Sequence, residues 1–254
     1  LCVACGREPV VQTTDIRAER AAEARRRAAA AWEQRGDEGR AREAAEGYAL
    51  AIENGDEGAY VPAVRAHFFL ADCHLRFRRE ARAEFLRELE RSGELAREAV
   101  QIEPDGAAVY WLAEARWMWS RAQGPATFLM VEDELHVLAR EARAQNVAYD
   151  GHGSDRMLGA LLARTPGFAG GDIVAAERFF TAARTGSPDD PRNELRMAAE
   201  YAVATGDGDL FVELLDEVVA LPANTPERIC AHRKAEQLRA KIPKFFPRIE
   251  PGAH

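Results

Sequence analysis

Apolar residues recur three and four positions apart almost without interruption from residue 15 to residue 241, the spacing that gathers them on one side of an α-helix. Leu135, Leu138, Ala139 and Ala142 form one such face. Leu195, Ala198, Ala199, Ala202 and Val203 form a second, and Phe211, Leu214, Leu215 and Val218 a third. No stretch alternates apolar and polar residues with β-branched enrichment, so the fold class expected is all-α.

Gly, Pro, Asn and Asp cluster at 36–39, 54–58, 104–106, 124–125, 150–153, 165–171, 187–191, 206–208 and 222–226. These breaks predict about eleven helices, and connections this short favour antiparallel neighbours. Asp190 before Pro191 and Thr225 before Pro226 each place a capping side chain ahead of a proline at the first helical position, where the missing N–H costs nothing. Gly170, Gly171 and Asp172 form the clearest punctuation. Two glycines permit positive φ or a close backbone approach, and Asp172 can cap the following helix, a reading preferred over an anion nest.

The segment 107–119 differs from the rest because its only charged residues are Glu114 and Arg116, while Val109, Tyr110, Trp111, Leu112, Trp117, Met118 and Trp119 spread around every side. A helix apolar all round must be surrounded. Plain central core is the first reading and the wall of a ligand cavity the second, with Trp111, Trp117, Trp119 and Phe128 as the cavity candidates. Phe68, Phe69 and Met130 are its other expected neighbours.

The 254 residues are 47% apolar and 30% charged, ordinary values for a folded chain able to bury a core. Net charge is −8, which argues against a nucleic-acid binder, since that mode needs a basic stripe. Arg17 to Arg27 is Arg-rich, but Glu19 and Glu23 interleave it, and a solvated helix face is preferred to a headgroup patch.

Cys2-Val3-Ala4-Cys5-Gly6 looks like the end of a bacterial lipoprotein signal, with Cys5 as the lipidated residue. On that reading residues 1–14 are a signal remnant and tether, 15–242 a single helical domain and 243–254 a C-terminal tail. One acylated cysteine holds a domain at a membrane without a spanning segment. Cys73 and Cys230 read first as small buried apolar residues; a disulfide between them, permitted in an oxidising compartment, is the alternative.

Catalytic signatures are missing: the sequence holds no G-x-S-x-G elbow, Walker loop, zinc-helix motif or Rossmann glycine pattern. Asp72, Cys73 and His74 are adjacent on a helix and diverge, so no metal site is expected there. The 150–155 loop reads as a satisfied turn. A calcium loop from Asp207 fails because Val218 stands where the bidentate Glu belongs. No cofactor is expected, and an enzyme is the minority reading.

Ala99-Val100-Gln101-Ile102-Glu103-Pro104 closes a helix pair in the manner of a tetratricopeptide repeat, and Trp32, Gly36, Ala44, Tyr48 and Ala51 look like a degenerate second copy. A tetratricopeptide-like array of antiparallel helix pairs is therefore expected. Tyr110-Trp111-Leu112-Ala113, Asp150-Gly151, Arg156, Leu158-Gly159, Arg164-Thr165-Pro166, Gly170-Gly171-Asp172, Ala176 and Phe179 resemble the T-component family of tripartite ATP-independent periplasmic (TRAP) transporters. The likeness continues through Ala199-Glu200, Gly206-Asp207, Phe211, Leu214-Leu215 and Lys234-Ala235, and covers about residues 60 to 241. It implies a lipid-anchored periplasmic accessory protein of a solute uptake system. Its partners would be a periplasmic solute-binding protein, a hydrophobic small molecule and further copies of itself in a homotrimer. A general tetratricopeptide-like adaptor of the cell envelope is the alternative, since solenoids commonly bind peptides or proteins on a concave face.

Overall fold

The computed structural model describes residues 11–247, and among the described residues every regular element is helical. Helices α1 (Val11–Trp32), α2 (Glu38–Glu53) and α3 (Tyr60–Phe69) lead into a π-helical turn, Leu70–His74. Next come α4 (Arg82–Ile102), α5 (Gly106–Gln123), α6 (Pro125–Gln145), α7 (Tyr149–Arg164) and α8 (Ile173–Gly186). One continuous helix then comprises α9 (Pro191–Arg196), a second π-helical stretch (Met197–Ala202) and α10 (Val203–Thr205). The chain closes with α11 (Gly208–Ala220), α12 (Pro226–Arg239) and α13 (Ile242–Phe245). From α1 to α8 each helix packs on the next, as a helical repeat array requires.

The turn chemistry explains the reversals. Asp172, Asp190 and Thr225 all cap as expected, accepting from the backbone N–H of Ala175, Arg192 and Arg228. Asp37, Asp105 and Asp207 cap α2, α5 and α11 in the same way. Gly124 at φ 126° is the single residue between α5 and α6. The two helices run antiparallel: Trp117 meets Phe128 near the turn, Arg116 pairs with Glu134, and Gly106 abuts Gln145 at the far end.

The break expected at 150–153 proves to be a kink inside α7. Asp150, Gly151 and His152 sit consecutively at φ 52°, 65° and 60°, in the left-handed region that non-glycine residues rarely occupy. The buried Arg156 and the half-buried Arg192 hold them there. Arg156 donates to the Asp150 carbonyl and carboxylate, and Arg192 to both Asp150 carboxylate oxygens at 2.9 and 2.7 Å.

Two hydrophobic cores form, and α5 belongs to both. Val109, Tyr110, Trp111 and Leu112 join the core of α1–α4, whereas Ala113 and Trp117 join the core of α6–α12. That double duty is why this helix is apolar all round. The C-terminal helices then return to the first half: Arg35 pairs with Glu227 at 2.7 Å, Lys234 with Asp72, and Cys73 is disulfide-bonded to Cys230. The cysteines are thus buried as the sequence suggests, and joined.

Candidate functional site

Because α12 folds back against the first π turn, the helices frame a half-open cavity of about 790 Å3 lined from α3, α4, α5, α7, α9 and α12. That size suits a small-molecule site. Phe68 and Trp111 meet edge to face with centroids 5.3 Å apart on one side, and Trp117, Leu195, Leu238 and Phe245 extend the apolar wall. The Trp111 indole N–H donates to the Tyr149 hydroxyl at 2.9 Å, which fixes the ring.

Of the residues singled out from sequence, Trp111 and Trp117 line the cavity. Trp119 is half-buried against the first core, away from it. Phe128 lies behind Trp117, edge to face at 5.2 Å, and does not reach the lining. Met130, expected as a neighbour, is 85% exposed, because two residues beyond Phe128 a helix presents a different face. Gly170, Gly171 and Asp172 stand apart from the cavity. Gly170 takes φ 101°, a Cβ on Gly171 would collide with the Thr165 carbonyl, and Asp172 accepts from the Ala175 N–H at 2.9 Å. Cys5 lies outside the described residues.

Charged residues missed by sequence reasoning complete the wall. Several of their carboxylates are buried. Glu114, the lone carboxylate of the tryptophan-rich helix, is buried and accepts from Arg196 Nη2 at 3.0 and 2.8 Å. Glu200 is buried and takes Arg121 and Arg164 together. Asp72 takes Lys234 and Arg76. Both π-helical stretches serve this arrangement, since Asp72 sits in one and Glu200 in the other, and widened helical turns of this kind often mark functional positions.

The electrostatics follow from burial and sign. Burial would raise the Asp72 carboxyl, but Lys234 and Arg76 hold it down to about 2. Burial lowers Lys234 to about 8, with Arg76 and Arg196 adding to the effect and Asp72 only partly opposing it. Arg121 is lowered to about 9 by burial and by Arg164, Arg196 and Arg76. Positive charge is therefore crowded in this part of the cavity.

A second cluster forms the adjoining wall. Arg156, 2% exposed, donates to the Tyr110 hydroxyl at 2.8 Å and to Asn193 Oδ1 at 2.7 Å, and Tyr110 donates to Asp150 at 2.8 Å. Burial pushes the Tyr110 hydroxyl well above its ordinary value. With Arg156 and Arg192 facing Asp150 and Asp190, this cluster is balanced in charge. Its bonds fix the kinked start of α7 against α5 and α9.

Asp72 also lies near Cys73 and Cys230. Sulfurs bonded to each other are not the thiolates a metal would need. Among the described residues no helix is long and apolar enough to cross a membrane.

A comparison with curated proteins finds no match. The family model described as TRAP transporter T-component matches residues 73–246, from the first cysteine of the disulfide through α13, a span that holds most of the cavity wall. That is a transporter family and not an enzyme family. By that match over more than half its length, the chain belongs to the TRAP transporter T-component family.

Proposed function

We propose that the protein is a lipid-anchored periplasmic accessory component of a TRAP-type uptake system, binding a small molecule in its central cavity and docking on the transporter's solute-binding protein. The observation that carries this reading is the cavity itself, framed by the family-matched helices and walled by Trp111 and Trp117. Its mechanism is binding and hand-over, with affinity from burying apolar ligand surface against the aromatic wall. The Cys73–Cys230 disulfide agrees with a compartment outside the reducing cytoplasm. The motif ending at Cys5-Gly6 supports lipid attachment at Cys5.

Two measurements test it. Expressed from a precursor with a complete secretion signal, the protein is expected in the membrane fraction, and Cys5→Ala is expected to move it to the soluble periplasmic fraction. The solute-binding protein of the same transporter is expected to co-purify with it after mild crosslinking. A protein that fractionates identically with and without Cys5 and captures no solute-binding protein would overturn the proposal.

A further inference from the structure

Seven arginines lie over aromatic rings among the described residues, and six of them also give an N–H to an oxygen of the chain. Arg35 pairs with Glu227, Arg121 and Arg164 with Glu200, Arg143 with Asp155, and Arg196 with Glu114, while Arg233 donates to the Cys73 carbonyl. Arg65 is the exception. Its Cζ stands 5.4 Å from the Trp32 ring centre and 5.9 Å from that of Trp111, and no oxygen of the described residues accepts from it. Rings attract the cation but leave its N–H groups unmade.

The array sets the place of this side chain. Besides packing on their neighbours in the chain, α3 touches α5 and α5 touches α7, and Trp32 of α1 meets Phe69 of α3 at 5.6 Å. Helices that crowd together in this way line the inner side of a stacked array. Four of them contribute to one strip: Trp32 from α1, Arg65 from α3, Trp111 from α5 and Tyr149 from α7, whose hydroxyl takes the Trp111 N–H. Arg65 is half-buried there and is not one of the residues that line the cavity. Trp, Tyr and Arg are enriched among the residues that dominate binding energy in protein interfaces.

Resting on the docking reading above, we infer that Arg65 receives a carboxylate side chain of the solute-binding protein, which makes the strip from α1 to α7 the docking surface. Charge complementarity names the chemistry of the occupant. A guanidinium held beside two indoles still carries its donors in one rigid plane, the arrangement that forks onto both oxygens of an Asp or Glu. Its half-buried position also limits the screening that salt imposes on exposed pairs.

The test is isothermal titration of the full chain with the purified solute-binding protein of the same transporter, at low and at physiological salt. At an unchanged melting temperature Arg65→Gln is expected to bind at least about tenfold more weakly at low salt, and to lose less on addition of salt than the wild type does. Arg87→Gln removes an exposed arginine of α4 and is expected to bind within about twofold of the wild type. Should Arg65→Gln melt at a lower temperature, Arg65→Lys decides, because it keeps a cation beside the rings and loses the fork. A loss of about threefold or more in that variant supports the pair, and full affinity overturns it. Arg65→Gln with wild-type affinity, or with a loss no greater than that of Arg87→Gln, would overturn the role of Arg65 and leave the docking reading standing. Failure of the wild type to bind would overturn both.

Discussion

The disulfide closes the molecule, and its removal gives the sharpest test of how the fold is held. Cys73 and Cys230 are 157 residues apart in sequence, so the bond denies the unfolded chain a very large set of conformations. Loop-closure entropy for a span of that length corresponds to about 5 kcal/mol at 25 °C, an upper value because unfolded chains retain some compactness. The native state has other ties across the same seam, Asp72 to Lys234 and Arg35 to Glu227, which keep α12 in place when the sulfurs are replaced. Cys73→Ser with Cys230→Ser is therefore expected to keep the far-ultraviolet circular dichroism of the native protein while losing about 3–5 kcal/mol in urea unfolding. Wild-type protein in dithiothreitol should unfold at the same urea concentration as the double variant, and the variant should be indifferent to reductant. A loss below about 1 kcal/mol, or a variant without helical signal, would refute the argument that the bond acts on the unfolded chain.

Three further outcomes are expected. Asp72 has its carboxyl held at about 2 against an ordinary 3.8, so its contribution is fully present above that ordinary value and is lost as pH falls toward 2. The stability difference between wild type and Asp72→Asn should accordingly shrink by about 2 kcal/mol between pH 5 and pH 2, measured by urea unfolding at each pH; a constant difference would contradict it. Asp172→Ala removes a helix cap and should cost about 1 kcal/mol in thermal or urea unfolding without altering ligand or partner binding. Arg156→Met leaves the buried Tyr110 hydroxyl oxygen and Asn193 Oδ1 without the guanidinium that donates to them and should destabilise by about 3 kcal/mol or more, whereas a change under about 1 kcal/mol would show the cluster to be dispensable.

How far the sequence could be read is clear from particular residues. Helical spacing and the pairing of Asp190 with Pro191 and Thr225 with Pro226 located helices and their starts because those signals are local. The tryptophan-rich helix announced its central place by having no polar face, and Trp111 and Trp117 do reach the cavity. Trp119 and Phe128 do not, because which side of a wholly apolar helix faces open space depends on neighbours far away in the chain. The charged wall was illegible for the same reason: Glu200 beside Arg121, or Asp72 beside Lys234, is a pair separated by many residues, and a buried Glu has the same letter as a solvated one. Glu114 was the one local hint, a single carboxylate among aromatic residues. The cysteine pair could be named but not joined, since the return of α12 to the first π turn is a property of the closed array.

The sharing of α5 between the two cores bears on how the protein comes apart. A row of helix pairs ordinarily melts in pieces, end repeats first, because each unit touches only its neighbours. Here Tyr110 and Trp111 anchor one half and Ala113 and Trp117 the other within two turns of the same helix, so neither half can lose its packing and leave the other's backbone undisturbed. Denaturation should then appear as one cooperative event, and a pocket seated on that common helix inherits the rigidity of the whole molecule.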